Sequence, residues 1–309
     1  MSNPNQRSPL PYPGLSLPDP ADLTRAAVWN GEEFLMDGRR ERVLSYDVAP
    51  SGWSDELTQL HEETGGSDHF IDVASREHAV AEIARCIRHD QSRIVEIGSS
   101  SGFLLADISR RLPQQFLIGT DYTGGTLRAL APRAPGIPLI QFDLTRCPLP
   151  DDFADIFVLL NVLEHIDDHE SAIRHLFRVT RPGGAVIIEV PAGSSLFDIY
   201  DRVLMHRRRY DMANLIATLE QAGFTIDRQS HLGFFLYPAF YLSKRLNQMR
   251  YPKGAAVKEQ QIVVNMIAAT KKSSPLLGSI MKVERALRPH VYYPFGIRCL
   301  VTCRKPSAR

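Results

Sequence analysis

Residues 93–102 read Arg-Ile-Val-Glu-Ile-Gly-Ser-Ser-Ser-Gly, and this stretch decides the fold. Ile94, Val95 and Ile97 make a short apolar run ending in small residues, the pattern of a buried parallel strand entering a tight turn. Phe103-Leu-Leu-Ala-Asp-Ile-Ser-Arg-Arg-Leu112 follows, with apolar residues at helical intervals until Pro113 stops them. Strand, turn and helix start form a cradle. Glycine lets backbone approach a ligand, and the helix N-terminus presents free N–H groups. A dinucleotide turn, Gly-x-Gly-x-x-Gly, would put its second and third glycines at Ser100 and Phe103, so two of three are missing. Glu96 is the other clue: a carboxylate at the strand end would repel a pyrophosphate but suits a ligand bearing an ammonium group.

Outward from the cradle, strands and helices alternate. Phe116–Asp121, Pro138–Asp143, Ala154–Leu160 and Ala185–Val190 read as strands. Thr126–Ala131 and the amphipathic Asp168–Thr180 read as helices, the second ended by Arg181-Pro-Gly-Gly184. Asp211–Ala222 is a helix stopped by Gly223, a sixth strand begins at Phe224, and Gly296–Arg304 alternates as a final strand. This order predicts an α/β, doubly wound sheet. Upstream, Ser75 is the expected cap of a helix reaching Ile87, and a shorter helix is expected from Trp53. The expected organisation is a disordered tail over 1–20, a helical N-terminal extension over 21–74, a core over 75–230, a helical insertion over 231–290, and the last strand and tail over 291–309. Trp29, Trp53, His61 and His69 could reach a substrate, though such residues are more often packing or surface.

Four successive strand ends carry Glu96, Asp121, Asp143 and Asn161, and a parallel sheet would deliver all four to one edge. Here the chain resembles the class I S-adenosylmethionine-dependent methyltransferases. Their first motif, acidic-x-Gly-x-Gly-x-Gly, lies on Glu96, Gly98, Ser100 and Gly102, with serine at the middle glycine. The resemblance implies seven mostly parallel strands, the last antiparallel beside the fifth. It implies S-adenosyl-L-methionine as cofactor, cradled by Gly98, Ser99, Ser100 and Gly102. Asp121 would accept from the ribose hydroxyls and Tyr122 stack on the adenine. Asp143 would bind the adenine amino group, Leu144 would offer its N–H, and Asn161 would touch the methionine moiety. For each acid alone the bland alternative is a helix cap or a solvated turn.

Asn161-Val-Leu-Glu-His165 and Arg181-Pro-Gly-Gly184 resemble the Leu-Glu-His…Arg-Pro-Gly-Gly pattern of methyltransferases that include the ubiquinone-biosynthesis enzymes. His165 is then a candidate general base, or else a structural histidine. Some relatives hold a metal with acids around this Glu-His; here Asn161 replaces the earlier acid, and no metal is expected. His206-Arg-Arg-Arg-Tyr210 resembles a His-x-x-Arg-Tyr element of small-molecule members. His206 is a second base candidate, and the arginines could clamp an anionic substrate group or form a solvated basic loop. The aromatic stretch 231–242, followed by Lys244, Arg245 and Arg250, reads as core first, apolar pocket second and membrane surface third.

Lys and Arg number 36 against 35 Asp and Glu, which gives no nucleic-acid footprint. Cys86, Cys147, Cys299 and Cys303 lack zinc spacing and read as reduced thiols. With no signal pattern, a cytoplasmic enzyme acting on a small-molecule acceptor is expected, O-methylation before N- or C-methylation. The alternatives are a non-catalytic binder of the same cofactor and an NAD-dependent oxidoreductase, the latter disfavoured by the missing glycines.

Overall fold

The computed structural model describes residues 14–48, 69–251, 274–288 and 291–307. It opens with β1 (Ser16–Asp19), β2 (Asp22–Trp29), β3 (Phe34–Met36) and β4 (Arg39–Glu41), an antiparallel meander. β5 (Val43–Ser45) follows, then α1 (Phe70–Cys86), β6 (Arg93–Ile97), α2 (Phe103–Arg111) and β7 (Phe116–Asp121). Next come α3 (Gly124–Leu130), β8 (Leu139–Gln141), β9 (Ala154–Leu160), α4 (His169–Val179) and β10 (Thr180–Pro191). The chain ends through α5 (Ile199–Val203), α6 (Met212–Gln221), β11 (Thr225–Leu232), α7 (Tyr237–Arg250), α8 (Ser274–Leu287) and β12 (Arg298–Arg304).

The main sheet runs β11-β12-β10-β9-β6-β7-β8-β5. β12 is antiparallel to both neighbours and sits between β10 and β11, while β10, β9, β6, β7, β8 and β5 pair in parallel. Both faces are covered, so alternate residues of one strand enter different cores. Val95, Ile97, Phe157 and Leu159 pack with Ile173 and Leu176 of α4 and with Trp29 and Phe34 of the meander. Ile94, Ile156 and Val158 pack with Ala79 and Ile83 of α1 and Leu105 of α2.

The structure departs from the sequence expectation in five places. The disordered tail expected over 1–20 does not hold at its end, where Leu15 and Leu17 are buried and Ser16–Asp19 form β1, while residues 1–13 lie outside the described residues. β5 adds an eighth strand beside β8, because Val43 and Leu44 bury against a neighbour too short to cover itself. The extension is β-rich over 16–45 rather than helical; the helix expected from Trp53, together with His61, lies outside the described residues. Helix α1 begins at Phe70, so Ser75 is a turn inside it and caps nothing. Arg181–Gly184 continues directly from α4 into β10, with a register shift between Thr180 and Ala185 and Gly183 at φ 76°. Trp29 is core, stacked at a tilt on Phe34.

Candidate cofactor cleft and histidine cluster

Parallel pairing of β6 with β7 brings their C-terminal ends together, Ile97 beside Thr120. The backbone N–H groups of Gly98 and Ser99 both donate to the Thr120 carbonyl, at 2.9 and 2.8 Å. Gly98 sits at φ 78°, and a Cβ there would meet Val162 Cγ2 at 2.6 Å, so a side chain is excluded on two grounds. Ser100 itself adopts φ 44°, the left-handed conformation that the missing glycine would take without strain. Its N–H donates to Asp121 Oδ2 at 3.0 Å, while Thr123 donates its N–H and hydroxyl to Oδ1 at 2.9 and 2.8 Å. Asp121 therefore ties the glycine-rich turn to the end of β7.

Glu96 is 5% exposed, and its Oε2 has no hydrogen-bond partner among the described residues. Burial, then the nearby Asp121 charge, push its carboxyl well above the usual range. Burial also raises Asp121, against the hydrogen bonds of Thr123 and Ser100. Two buried carboxyls on adjacent strands form an environment that a cationic ligand would neutralise. The cleft above them is lined by Asp72, Arg76, Ser100, Asn161 and Arg298. Asn161 takes φ 55° just after β9 and donates to Glu189 at 3.4 Å. Glu189 is buried and also accepts from Ser75 at 2.7 Å and Arg298 at 2.6 Å; Arg298 reaches Asp72 at 2.7 Å.

Beside the cleft lies a second cluster. Leu163–His165 forms a short 3-10 turn after β9, and His165 meets His206 edge-on at 4.8 Å between ring centroids. His206 Nδ1 is 2.9 Å from Asp201 Oδ1. Asp201 also accepts from Arg209 at 2.8 Å and from Lys244 of α7 at 2.8 Å. Burial opposes ionisation of Asp201, but His206, Lys244 and Arg209 hold it far below the usual carboxylate range. An ionised Asp201 takes the Nδ1–H of His206, leaving Nε2 with its lone pair. Burial lowers His206, so the neutral ring is favoured even though Asp201 pulls the other way. Glu164 is fully buried, and burial pushes its carboxyl up to about 8. Donor atoms of Glu164, His165 and His206 lie within 4.8 Å of one another, a spacing from which a divalent cation could be gathered.

The methyltransferase-domain family matches residues 95–188, the span from β6 into β10. A probable S-adenosylmethionine-dependent methyltransferase of Mycolicibacterium smegmatis is 32% identical over 148 residues, covering 46% of this chain and 54% of the relative. A demethylmenaquinone methyltransferase of Streptomyces avermitilis is 31% identical over 93 residues, 29% of this chain and 40% of that one. The chain thus spans about half the length of the curated relatives it matches. The Haemonchus contortus phosphoethanolamine N-methyltransferase 2, solved with S-adenosyl-L-methionine, superposes with TM-score 0.50 at 14% identity, covering 84% of this chain and 62% of that one, which speaks for the fold. Residues 95–188 thus match a methyltransferase domain, similar to that of S-adenosylmethionine-dependent methyltransferases.

Within this methyltransferase domain, Glu96, Gly98, Ser99, Ser100 and Asn161 line one cleft, and Asp121 lies directly under it. Asp143 lies further along the same sheet edge and caps the next turn, its Oδ1 accepting from Thr145 N–H at 2.8 Å and hydroxyl at 2.7 Å. Leu144 is buried, and the carbonyl of Tyr122 accepts from Gln141 at 3.1 Å. Each of the three consecutive arginines has partners within the chain. Arg207 pairs with Asp167, Arg208 donates to the carbonyls of Ile166 and Asp167, and Arg209 is buried on Asp201 and Ala192. Sequence reading missed Glu189, Arg298, Asp201 and Lys244. For Glu189 a signal existed: an acid inside Ala185-Val-Ile-Ile-Glu-Val190, like Glu96 inside its own apolar strand. His69 stands at the start of α1, 3.4 Å from Asp72.

Proposed function

We propose that this protein transfers a methyl group from S-adenosylmethionine to a small-molecule acceptor, with a hydroxyl as the favoured acceptor atom. The observation that carries the reading is the buried carboxyl of Glu96 beside Asp121, its Oε2 without a hydrogen-bond partner among the described residues, under a turn with three residues at positive φ. When bound, S-adenosylmethionine supplies a methyl group already activated by its sulfonium, so the protein's part is positioning and desolvation. In this reading Glu96 faces the ammonium group, Asp121 receives the ribose hydroxyls, Tyr122 and Leu144 flank the adenine, Asp143 meets its amino group, and Asn161 touches the methionine moiety. His206, neutral and oriented by Asp201, takes the acceptor's proton on Nε2, with His165 alongside it. Among the relatives, a ubiquinone/menaquinone biosynthesis C-methyltransferase of Vibrio parahaemolyticus points to carbon as an alternative acceptor atom.

Titration calorimetry with S-adenosylhomocysteine and with NAD tests the reading. Micromolar binding of the first and none of the second is expected; the reverse overturns it. A labelled-methyl assay over hydroxylated metabolites then separates an enzyme from a silent binder: cofactor binding with no transfer to any acceptor favours the binder.

A further inference from the structure

The insertion between β11 and β12 differs in charge from everything around it. Residues 231–290 hold ten Lys and Arg against two Asp and Glu, a net +8, whereas the whole chain is +1. The one acid in α7 and α8 is Glu284, buried, accepting from the N–H groups of Gly233 at 2.7 Å and Phe235 at 3.2 Å. Every exposed charge on these two helices is therefore cationic, Arg245, Arg250 and Lys282 among them.

The same helices turn apolar side chains outward. Leu242 is 60% exposed, Met249 72% and Leu276 69%. Tyr241, Leu242, Arg245 and Met249 lie along one stripe of α7. Ring contacts carry that surface into residues 291–295: Tyr237 is 6.0 Å from Tyr241 and 5.1 Å from Phe295, and Tyr241 and Phe295 are both exposed. Sequence reading put core first for this stretch. For 231–242 that explanation holds at His231 and Leu232 but leaves the exposed Phe235, Tyr241 and Leu242 without a role.

We infer that α7, α8 and residues 291–295 dock on an anionic lipid surface. Tyrosine rings suit the headgroup region, aliphatic tips enter the acyl boundary, and the cations meet anionic headgroups. The apolar groups are spread over two helices and a loop instead of gathered at one anchor, which a fluid surface accepts and a protein hot spot does not. Among the described residues no helix is long and apolar enough to cross a membrane, so the contact is peripheral. The inner face of α7 sends Lys244 to Asp198 and Asp201, so docking would bring the bilayer within about a helix width of His206.

Co-sedimentation of the full chain with phosphatidylcholine vesicles, with and without about one third phosphatidylglycerol, tests this. Binding at least tenfold stronger to the anionic vesicles, weakening as salt rises, is expected. Leu242→Asp with Met249→Asp should lose that binding, and Arg245→Glu with Lys282→Glu should lose the preference for anionic lipid. Circular dichroism and S-adenosylhomocysteine titration report whether each variant is folded, and Leu242→Ser with Met249→Ser serves where the aspartates prove too severe. No vesicle binding, or equal binding by wild type and folded variants, overturns the inference. So does a dimer that Leu242→Asp dissolves without any vesicle binding, or retention by an acidic protein alone. Since no turnover is measured, such a failure would leave the methyl-transfer reading untouched.

Discussion

Replacing Glu164 by glutamine should remove a pH dependence that this residue imposes on folding. Burial raises its carboxyl from 4.5 to about 8; Glu189 adds to the rise, while Arg298 and Arg209 oppose it. Between those values the folded chain holds a proton that the unfolded chain has released. The native state then binds more protons than the unfolded state, so stability falls as pH rises through this window. By about pH 7 the accumulated loss is on the order of 3 kcal/mol, taking ~1.4 kcal/mol per unit of separation. Glutamine keeps the shape and cannot ionise. Its amide must still be accommodated, but that cost does not change with pH and cancels between conditions. Urea unfolding of both proteins at about pH 5 and about pH 7.5 reads the effect, and the variant should gain on wild type by roughly 3 kcal/mol between the two. A difference that stays constant within about 0.5 kcal/mol would show that Glu164 ionises normally in the folded chain, and would remove the argument that it is a neutral acid beside His206.

The remaining expectations concern the two clusters. If the raised carboxyl of Glu96 must ionise to meet an ammonium group, S-adenosylhomocysteine affinity should increase with pH in the wild type and become flat in Glu96→Gln; calorimetry showing parallel curves would contradict this. Asp121→Ala should weaken the same ligand at least tenfold, since it removes the ribose acceptor and unties the Ser100 turn, and an unchanged Kd refutes its placement. Asp201→Asn should lower kcat about tenfold or more while leaving S-adenosylhomocysteine affinity within about twofold, because it frees the His206 ring without touching the cleft; equal losses in both would make Asp201 merely structural. Chelation with EDTA should leave transfer unchanged, and a loss restored by Zn2+ and abolished in Glu164→Gln would assign Glu164, His165 and His206 to a cation.

Much of the parallel core was legible because each strand announces itself alone. Ile156–Leu159 is buried on both faces and reads as an unbroken apolar run, and Ile94–Ile97 is buried likewise, interrupted only by Glu96. The meander gave no such signal: four of the eight residues of β2 form an exposed run, and the strand pairs only with short partners. β5 is three residues long and exists only because β8 offers an edge. The cleft was legible in its acids, since a carboxylate inside an apolar strand demands a reason. The roles of arginines 207–209 were not legible, because charge in a loop looks the same whether it faces a ligand or a carbonyl. Their partners, at 166, 167 and 201, are fixed by tertiary packing that no local pattern encodes.

The least legible feature links α5 to α7. Asp198 caps α5 and Asp201 lies in it, Arg209 comes from the following loop, and Lys244 and Asn247 from α7, and all five side chains are buried together. A buried ionic group of this kind adds little net stability over an apolar packing, because desolvating each charge costs what the pairing returns. What it supplies here is a fixed geometry. Lys244 can satisfy both acids only when α7 lies at one position on α5, and that same position leaves Asp201 Oδ1 to His206 and Arg209. The helix that turns Leu242 and Met249 to solvent is therefore the helix that sets the His206 ring, and any force acting on its outer face reaches His206 through two hydrogen bonds.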